Sequence, residues 1–513
     1  MKILNSIKQL FEDKVDLLDL DKGKGYKYKG INFINYTELH HSESALYRLA
    51  KRQILFLVFI FFMIGLGIYL NWHATLVFLI SILTIVYFAD LLFNLFLIYR
   101  SFFSIPEIKI SPQEIENSRN REWPMYTILC PLYKEYEMLR QFINAINDLD
   151  YPKDKLQVLF LLEEDDDETV SRAKNITLPP NYEILIVPNS LPKTKPKALN
   201  YGLQRAKGEY AVIYDAEDIP EKSQLKKAIL AFEKSDKNVI CMQAKLNFYN
   251  PRHNFLTRMF TAEYSLWFDL VLTGLQSINA PIPLGGTSNH FKTENLKILK
   301  GWDAFNVTED CDLGIRLFKK GYRTAIIDSE TLEEANSHLF NWFNQRSRWI
   351  KGYIQTYFVH MRKPKELMTD WKDPQIIAFQ LIVGGKILSM FINPLMWIIT
   401  ISYFSLRAIV GPTIESFYPS PILYMAVFSL ALGNFLYLYY YIIGCAKRDY
   451  DDIMKYALLI PFYWLAMSVA GWKAVWQMFF KPHYWAKTKH GYHLKFFGNK
   501  NNSNLITITG KNI

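Results

Sequence analysis

Long uncharged apolar runs constrain this 513-residue chain more than any other feature of its sequence. One run extends from Gln53 to Leu70, and a second extends from Thr75 to Tyr99 with Asp90 as its only charge. Both are long enough for membrane helices, because a crossing needs about 20 mostly apolar residues. Buried helices of a soluble protein are the poorer alternative for runs of this length. Three further signals lie between Ile376 and Val410, between Pro421 and Ile443, and between Tyr456 and Phe480.

The basic residues that flank these runs predict their orientation, because the cytoplasmic ends of membrane helices are enriched in Lys and Arg. Lys51 and Arg52 precede the first run, and Arg100 follows the second. Lys447 and Arg448 follow the fourth run. We therefore expect both ends of the first hairpin, and the long segment after it, to face the cytoplasm of a cell whose plasma membrane holds the protein.

The C-terminal part does not fit a simple count of crossings. The tail from Lys481 is also basic, yet five simple crossings would place it outside. Gly384 and Gly385 break the third signal, whose first part is a candidate for an interfacial segment. Pro461 breaks the last run, which is a candidate for a segment that dips into the membrane and returns. We expect a cytoplasmic tail and about four to six crossings.

Between Trp123 and about Tyr353 the pattern changes to short β-type runs that alternate with polar, helix-like stretches. This alternation predicts an α/β domain with a mostly parallel, doubly wound sheet, inserted between the membrane helices. Ligands of such sheets bind just beyond the carboxyl ends of the strands. The β-type runs are MYTILCPLY, LQVLFLLE, YEILIVP, EYAVIYD, NVICMQAKL and YRTAIID.

Acidic residues stand at the ends of several of these runs. The run LQVLFLLE continues into the acids at 163–168, and YAVIYD ends in Asp215-Ala216-Glu217-Asp218. A third cluster carries Glu309, Asp310 and Asp312. Each cluster alone could be a solvated loop, but three in one domain favour a site for a hard divalent cation, Mg²⁺ or Mn²⁺. Such an ion holds a nucleoside diphosphate and stabilises it as a leaving group.

Basic groups that could meet a diphosphate are also present. They lie in LPKTKPKALNYGL, which contains Lys193, Lys195 and Lys197, and in NQRSRWIKGY, which contains Arg346 and Arg348. Arginine binds phosphate through a planar, bidentate fork. Snorkelling at the membrane surface is the alternative for the second group, because a membrane-facing stretch begins soon afterwards.

Taken in order, these motifs resemble those of a membrane-embedded family 2 inverting glycosyltransferase of the cellulose synthase and hyaluronan synthase type. The resemblance runs from about Pro131 to Trp349 and implies a GT-A (Rossmann-like) catalytic domain. Thr-Glu-Asp and Gln-x-x-Arg-Trp at this separation are specific, whereas Pro-x-Tyr-x-Glu alone is weak. The matching motifs are Pro-x-Tyr-x-Glu, Lys-x-Ala-Leu-Asn, Asp-Ala-Glu-Asp, Thr-Glu-Asp and Gln-Arg-Ser-Arg-Trp.

The resemblance implies a role for each matching residue. Asp310 is the expected general base, with Glu309 as its neighbour, and Asp215 and Glu217 occupy the expected metal positions. A larger set is expected to bind the uridine, the ribose and the diphosphate: Tyr133, Glu135, Glu163, Asp165, Asp166, Lys197, Asp215, Arg346 and Arg348. Gln345 and Trp349 are expected to bind the acceptor sugar, Trp349 by stacking its ring on a sugar face. Gly286 and Thr287 are expected to lie against the acceptor.

Two departures from the family pattern leave alternatives open. The metal motif reads Asp-x-Glu, so Glu217 or its neighbour Asp218 is the ligand. The first acidic strand end reads Glu-Glu-Asp-Asp where many relatives have Asp-Asp. The tail YWAKTKHG also resembles the gating loop of these synthases, which would return Trp485, Lys487 and Thr488 to the active site. A basic interfacial tail is the alternative.

The expected activity is processive transfer from a UDP-sugar to a growing β-linked glycan, coupled to export across the membrane. Single-sugar transfer to a polyprenyl phosphate or other lipid, and a catalytically idle binding component, are the alternatives. The net charge of +10 does not indicate nucleic acid, because the basic residues border membrane runs or phosphate-type motifs. About 30 residues follow Phe480, too few for a cyclic-dinucleotide-binding barrel, so export or regulation of that kind would need a separate subunit.

The expected domains follow from these boundaries. Residues 1–52 form a cytoplasmic N-terminal segment whose sequence carries no motif that we can interpret, and 53–100 form a transmembrane hairpin. Residues 120–365 form the cytoplasmic GT-A domain, 366–480 an interfacial helix and C-terminal membrane helices, and 481–513 the tail. The four cysteines lie far apart without a CxxC motif, which argues against a zinc site or a disulfide framework.

Overall fold

The computed structural model describes residues 15–20, 23–104, 106–367, 375–485, 487–489 and 491–493. Its main sheet has eight strands in the order β6-β5-β4-β7-β10-β9-β11-β8, and a separate three-stranded sheet has the order β1-β2-β3. The strands are β1 Asp16–Leu20, β2 Gly23–Tyr28, β3 Ile31–Ile34, β4 Tyr126–Leu132, β5 Leu156–Glu163, β6 Tyr182–Val187, β7 Tyr210–Ile213, β8 Ile219–Pro220, β9 Val239–Phe248, β10 Asn289–Lys292 and β11 Arg323–Glu333.

The predicted mostly parallel sheet is confirmed. Strands β6, β5, β4 and β7 run parallel to one another, and β9 runs parallel to β11. Strand β10 is antiparallel to both of its neighbours, β7 and β9, and β8 is antiparallel to β11. Strand β5, next to the edge strand β6, is buried along its whole length. Its side chains alternate between two apolar cores, because successive side chains of a strand point to opposite faces.

The helices of the catalytic part lie between these strands, and the most apolar helices lie at the two ends of the chain. The α-helices are Lys51–Phe103, Pro112–Asn117, Leu139–Asn147, Asp167–Lys174, Lys195–Leu203, Gln224–Lys234, Phe255–Leu266, Leu272–Ser277, Thr293–Ile298, Glu309–Lys319, Leu339–His360, Gln375–Phe379, Lys386–Ser405, Arg407–Ser416, Ser420–Phe428, Asn434–Ala446, Asp451–Met454 and Ile460–Phe480. Turns of π-helix at Trp267–Val271, Gln380–Gly385 and Ser429–Gly433 join consecutive helices.

Four helical segments of the described residues are long and apolar enough to cross a membrane: Lys51–Phe103, Gln375–Ser405, Ser420–Ala446 and Asp451–Phe480. The first is interrupted at Asn71, where the backbone leaves the helical region (φ −157°, ψ 91°). It is therefore a hairpin of two helices, close to the two sequence runs that predict it.

Contacts at the ends of these segments show which ends reach the catalytic domain. At the base of the hairpin, Gln53 Nε2 donates to Phe358 O (2.8 Å) and an Arg100 guanidinium N–H donates to Ser277 O (3.0 Å). At its tip, the His73 ring stacks on Phe417 with ring centroids 5.2 Å apart. The tip therefore meets the connection between the next two apolar segments, far from the catalytic sheet.

The last apolar segment has both of its ends at the catalytic domain. Arg252 forms an ion pair with Asp452 (2.8 Å) near its start, and Lys351 Nζ donates to Lys481 O (3.3 Å) just after its end. Between these points, the helix Ile460–Phe480 packs beside the helix Leu339–His360 through Ala470, Ala474 and Met478. Its opposite face exposes Phe462, Leu465, Val469, Trp472, Trp476, Phe479 and Phe480.

The described part of the N-terminal segment, for which the sequence offered no motif, is docked on the catalytic domain through residues 44–45. Asp303 is 1% exposed and accepts hydrogen bonds from Ser44 Oγ (2.7 Å) and Ala45 N (2.6 Å). Burial, and then repulsion from Asp312, raises the pKa of Asp303 to about 6. The Asp303 carboxylate therefore fastens residues 44–45 to the loop that precedes the helix Glu309–Lys319.

We expect Asp303→Ala to lower the free energy of unfolding by roughly 2–3 kcal/mol, because the buried donors Ser44 Oγ and Ala45 N lose a charged acceptor. Thermal unfolding of the purified protein in detergent measures the loss. The matched control is Glu38→Gln, which removes an exposed pair with Lys24 and should cost less than about 1 kcal/mol. Equal effects of the two substitutions would contradict the proposed anchor.

Candidate active site

One cavity of about 490 Å³ lies beyond the carboxyl ends of the parallel strands and collects most of the predicted site residues. Strand ends contribute the side chains that follow β4 and β7, and two helices contribute the Thr-Glu-Asp and Gln-x-x-Arg-Trp motifs. The predicted residues that line it are Tyr133, Glu135, Glu163, Asp215, Glu217, Gly286, Glu309, Asp310, Gln345, Arg346, Arg348, Trp349, Trp485, Lys487 and Thr488. Asp165, Asp166, Lys197, Asp218 and Thr287 do not line it.

Two of the residues outside the cavity hold its wall together. Lys197 is fully buried and donates to Glu163 Oε2 (2.7 Å), so its charge is balanced by Glu163 inside the domain. Asp166 accepts from Thr169 N (3.3 Å) as the N-cap of the next helix and also from Lys134 N. Lys134 has a positive φ of 55°, so Asp166 fixes a turn between Tyr133 and Glu135. Asp165 pairs with Lys193 at the rim.

The structure separates the two alternative metal ligands. Asp218 is fully buried and accepts from Asp215 N (2.7 Å) and from Thr287 Oγ1, so it closes the turn after β7. Thr287 also donates to Ile213 O (3.0 Å), which ties the Gly285-Gly286-Thr287 segment to the same strand end. Glu217, which lines the cavity with Asp215, is therefore the residue placed to bind an ion.

The carboxylates at this strand end fit a divalent cation. Burial, followed by repulsion from Asp215, raises the pKa of Glu217 to about 8. Glu333, at the end of β11, also lines the cavity, and burial followed by Glu217 and Asp215 raises its pKa strongly. Among the residues that the structure describes, no three His, Cys, Asp or Glu side chains form a complete metal cage. Oxygens from a bound diphosphate would have to complete the coordination of an ion held by Asp215 and Glu217.

Lys195 is the cation that the cavity holds closest to these acids. Its Nζ lies 2.5 Å from Asp215 Oδ1 and donates to Gly286 O (2.8 Å). Although burial opposes it, Asp215 and Glu309 raise the pKa of Lys195. Lys195, rather than the predicted Lys197, is thus placed to meet a diphosphate.

Asp310 and Glu309 begin the helix Glu309–Lys319, where the partial positive charge of a helix N-terminus favours carboxylates. Asp310 Oδ1 accepts from Cys311 N (2.7 Å), while its other oxygen lies close to Gly286, where a Cβ would come within 3.4 Å. Burial, and then the charge of Asp310, raises the pKa of Glu309 to about 8. Burial raises the pKa of Asp310 as well, and Glu309, with its pKa of about 8, is the member of the pair that holds a proton near neutral pH, which makes Asp310 the candidate for a general base.

The rest of the third acidic cluster is structural. Asp312 is fully buried between Arg316 (3.3 Å) and His360 Nε2 (3.0 Å), and it links the start of the helix Glu309–Lys319 to the end of the helix Leu339–His360. Gly352 allows the two helices to meet, because a Cβ at this position would lie 2.3 Å from Thr308 Oγ1. These contacts fix the start of the helix Glu309–Lys319, and with it the position of Asp310 in the cavity.

The two arginines of the Gln-Arg-Ser-Arg-Trp motif have different partners. Arg346 donates to both carboxylate oxygens of Glu263, at 2.8 and 2.5 Å, and to Tyr463 OH (2.7 Å). Arg348 has no carboxylate partner among the described residues, its Nε has no acceptor, and its guanidinium lies 4.5 Å from the Trp485 ring centroid. Burial lowers the pKa of Arg348, and Glu309, Asp310 and Asp215 oppose that effect. Arg348 is therefore the arginine that remains available for an anionic ligand.

The expected acceptor residues lie on the membrane side of these acids. Trp349 stands against Phe260 and Tyr264, with ring centroids 5.8 and 6.4 Å away, and Gln345 Oε1 has no partner. The same cavity continues between the apolar helices to Asn94, Lys386 and Asn393. The cavity thus continues from Asp310 past Trp349 to a region between the apolar helices, where a few polar side chains stand among mostly apolar ones.

The C-terminal tail enters the same cavity. Lys487 Nζ lies 3.0 Å from Glu135 Oε1 and 5.5 Å from the ring centroid of Tyr133, and Thr488 is buried. Trp485 covers Arg348. The tail residues that resemble a gating loop are therefore beside the residues expected to bind nucleotide.

Glu333 and Glu263 are the main residues to which sequence reasoning assigned no role, and Lys195 was named only as one of three lysines that could meet a diphosphate. Lys195 belongs to a lysine cluster in which spacing alone cannot tell the exposed member from the buried one. Glu333 ends the observed strand β11, but the predicted run YRTAIID stops at Asp328, so the sequence did not place Glu333 at a strand end. Glu263 lies inside the helix Phe255–Leu266 and carries no motif.

Comparison with known proteins identifies the family of the domain that carries this cavity. The model of a family described as "Glycosyltransferase like family 2" matches residues 124–352. These residues form a family 2 glycosyltransferase domain, and its mostly parallel sheet is a GT-A-like fold. The chain therefore carries the catalytic domain of a glycosyltransferase, and its relatives include cellulose synthase catalytic subunits.

Two curated relatives and one solved structure illustrate the similarity. The chain is 25% identical over 235 residues to the probable glycosyltransferase YdaM of Bacillus subtilis, covering 45% of this chain and 56% of that protein. It is 25% identical over 281 residues to the cellulose synthase 1 catalytic subunit [UDP-forming] of Komagataeibacter xylinus, covering 52% and 36%. A mannosyltransferase from Pyrobaculum calidifontis, solved with GDP-Man and Mn²⁺, aligns at 20% identity with a TM-score of 0.44, covering 78% of this chain and 99% of that one. The chain thus spans about half or less of the length of these curated relatives.

We expect Asp310→Asn to lower sugar transfer by at least about 100-fold, because the amide cannot accept the proton of the acceptor hydroxyl. Glu309→Gln should keep a measurable fraction of the activity, because the glutamine resembles the neutral form that Glu309 holds below pH of about 8. Release of the nucleotide product measures both effects. Near-normal transfer by Asp310→Asn would contradict its assignment as the base.

The pH profile gives a second readout of the same residue. A base acts only when ionised, and burial raises the pKa of Asp310, so activity should be present above that raised pKa and lost as pH falls through it. The acid limb of kcat/KM should therefore lie at a higher pH than the value of about 3.9 of an ordinary aspartate.

We expect the two arginine variants to fail in different ways. Arg348→Met should weaken UDP binding by roughly 10-fold or more and leave the unfolding temperature unchanged, because Arg348 has no internal carboxylate partner. Arg346→Met should lower the unfolding temperature by several degrees, because it leaves Glu263 without its cation. Calorimetric titration with UDP and thermal unfolding distinguish the two, and the reverse pattern would contradict the assignment.

Proposed function

We propose that this protein is an inverting, processive glycosyltransferase that uses a UDP-sugar to elongate a β-linked polysaccharide at the cytoplasmic face of the cell membrane. The observation that carries the proposal is the single cavity in which Asp310, the Asp215 and Glu217 pair and Arg348 meet. A "UDP-forming" relative supports UDP as the leaving group. Export of the product through the membrane part belongs to the same proposal.

In this reaction, Asp310 takes the proton of the acceptor hydroxyl while the hydroxyl oxygen attacks the anomeric carbon of the donor. The bond from that carbon to the diphosphate oxygen breaks as the new glycosidic bond forms. Lys195 and Arg348 stabilise the negative charge that develops on the departing UDP. Mg²⁺ or Mn²⁺, held by Asp215 and Glu217, would neutralise the diphosphate when bound.

The inverted product follows from a single displacement. One ionised base without a covalent intermediate converts an α-linked donor into a β-linked product, because attack comes from the face opposite the leaving group. The neutral state of Glu309 at pH 7 supports this assignment, since it leaves Asp310 as the ionised carboxylate of the pair.

Processive elongation is supported by the path beyond Trp349. A tryptophan face suits stacking on the sugar at a chain end. Tyr437, Asn94 and Asn393 line the continuation of the cavity between the apolar helices, where they offer hydrogen-bonding groups to sugar hydroxyls.

Transfer of one sugar to a polyprenyl phosphate or another lipid is the second candidate function, and one observation favours it. Lys386 lines the membrane end of the cavity, with its Nζ 3.4 Å from the ring centroid of Trp267. An ammonium group at this depth would suit a lipid phosphate, whereas a neutral glycan does not require it.

The end contacts of the apolar segments support a membrane topology with four crossings. The two arms of the hairpin, Gln375–Ser405 and Ser420–Ala446 would cross, and the catalytic domain would lie on the cytoplasmic side that the basic flanks predict. The segment Asp451–Phe480 would lie at the interface, because both of its ends contact the catalytic domain. With four crossings the tail would lie on the same side as the catalytic domain, whereas five crossings would place it on the opposite side.

The exposed face of Ile460–Phe480 supports an interfacial position. Its apolar side chains recur at intervals of three and four residues, which places them on one side of a helix. Trp472 and Trp476 belong to this side, and tryptophan is enriched at membrane interfaces.

Incubation of the reconstituted protein with a panel of UDP-sugars and Mg²⁺ or Mn²⁺ tests the proposed function. We expect UDP release with one donor, together with a long β-linked product whose linkage analysis identifies the polymer. A lipid carrying a single sugar would favour the second candidate. Absence of UDP release with every common donor would overturn both and favour a catalytically idle binding component.

A further inference from the structure

The turn at 481–484 connects the last apolar helix to the tail residues in the cavity. Its backbone carbonyls bind side chains of the helix Leu339–His360. Lys351 Nζ donates to Tyr484 O (2.8 Å) and to Lys481 O (3.3 Å), and Gln355 Nε2 donates to Pro482 O (3.0 Å). Lys351 and Gln355 are one helical turn apart, so a single face of the helix grips the turn.

Lys351 is the titratable member of this contact. Its side chain is fully buried, and no carboxylate of the described residues pairs with it. Burial, and then repulsion from Arg348, lowers the pKa of Lys351 to about 7, so the amine donates both hydrogen bonds in either state and does so more strongly at lower pH, where it is charged. Lys481 caps the helix Ile460–Phe480, and the partial negative charge of a helix C-terminus favours a cation there. Lys351 therefore holds the end of one helix and the start of the tail together.

The same helix face carries the link to the cavity. Arg348 lies one turn before Lys351 and contacts the Trp485 ring at 4.5 Å, directly after the gripped turn. Gln355 Oε1 accepts from Val307 N (3.1 Å), which precedes Thr308, Glu309 and Asp310. The position of the tail is thus set by groups that also border Arg348 and the helix Glu309–Lys319, which carries Asp310.

We propose that Lys351 is a positioning residue that holds the tail over the nucleotide cavity, so that Lys487 and Thr488 add donors to the bound UDP-sugar. The inference rests on the proposed use of a UDP-sugar. Thr488 Oγ1 and Arg348 Nε are buried without acceptors, and diphosphate oxygens would satisfy both. Loss of the Lys351 contact would release the tail and weaken donor binding without touching Asp310.

The test compares Lys351→Met with the control Lys473→Met. Lys473 lies on the neighbouring helix Ile460–Phe480 and donates to Asn344 Oδ1 (2.6 Å), away from the turn. We expect Lys351→Met to raise the KM for the UDP-sugar by roughly 10-fold while kcat changes less than about 3-fold. The conservative variant Lys351→Arg should recover part of the affinity, and Lys473→Met should match the wild type.

Hydrogen exchange of peptides from 481–489 supplies a readout that does not depend on activity. Exchange in this segment should accelerate at least about 10-fold in Lys351→Met and remain unchanged in Lys473→Met. If the wild type shows no transfer while the exchange difference appears, the proposed function fails and the positioning role of Lys351 stands. Unchanged exchange in Lys351→Met, or a fall in kcat with a constant KM, would overturn the positioning role.

Gln355→Glu keeps the proposal falsifiable if Lys351→Met does not fold. The glutamate retains an acceptor for Val307 N but cannot donate to Pro482 O, and its charge would draw Lys351 away from the turn. We expect faster exchange in 481–489 and a higher KM, as in Lys351→Met. Wild-type exchange and KM in this variant would overturn the proposal.

Discussion

Repulsion among buried carboxylates is the constraint on which the rest of this structure depends. Asp215, Glu217, Glu309 and Asp310 line one cavity, and burial raises the pKa of three of them. Lys195 offsets part of this repulsion through Asp215, and Arg348 faces the same acids without a carboxylate partner of its own. A site built in this way favours ligands that bring both a cation and a polyanion, which is what a metal-bound nucleoside diphosphate supplies.

The helix Leu339–His360 connects the parts of the molecule that must act together. Arg346 binds Glu263 and Tyr463. Gly352 allows the helix to pack against Thr308, and His360 binds Asp312 on the helix Glu309–Lys319. These contacts leave only Arg348 of the two arginines free to meet a ligand. In the Gln-Arg-Ser-Arg-Trp motif, the first arginine therefore serves the packing of the helix, and the second faces the cavity.

The sequence predicted the central architecture well because the signal was strong there. Strand β5 coincides with LQVLFLLE, a run buried on both faces, and the hairpin breaks at Asn71 between the two predicted runs. Strand β10 escaped prediction because Asn289–Lys292 is short and mostly polar. The three strands at 16–34 carry no motif, and contacts such as those of Tyr26 and Phe33 with Phe305 join residues that are far apart in the sequence.

Site residues were predicted as a set more reliably than as individuals. Sequence spacing brought the acidic strand ends together, but it could not tell which carboxylates are occupied by internal donors, such as Asp166 and Asp218. The same limit applies to Lys197 and Arg346, whose charges are neutralised inside the fold. The sequence left the number of crossings open, because Asp451–Phe480 has the composition of a crossing helix although both of its ends contact the catalytic domain.

The exposed aromatic side of Ile460–Phe480 has a practical consequence for any assay of this protein. The helix that presents Trp472 and Trp476 outward leads within a few residues to Trp485 above Arg348. If that helix lies at the membrane interface, as proposed, a micelle that replaces the lipid headgroups changes its surroundings and hence the position of the tail. Donor affinities measured in detergent should therefore differ from those measured in nanodiscs, and the two sets of values should not be compared directly.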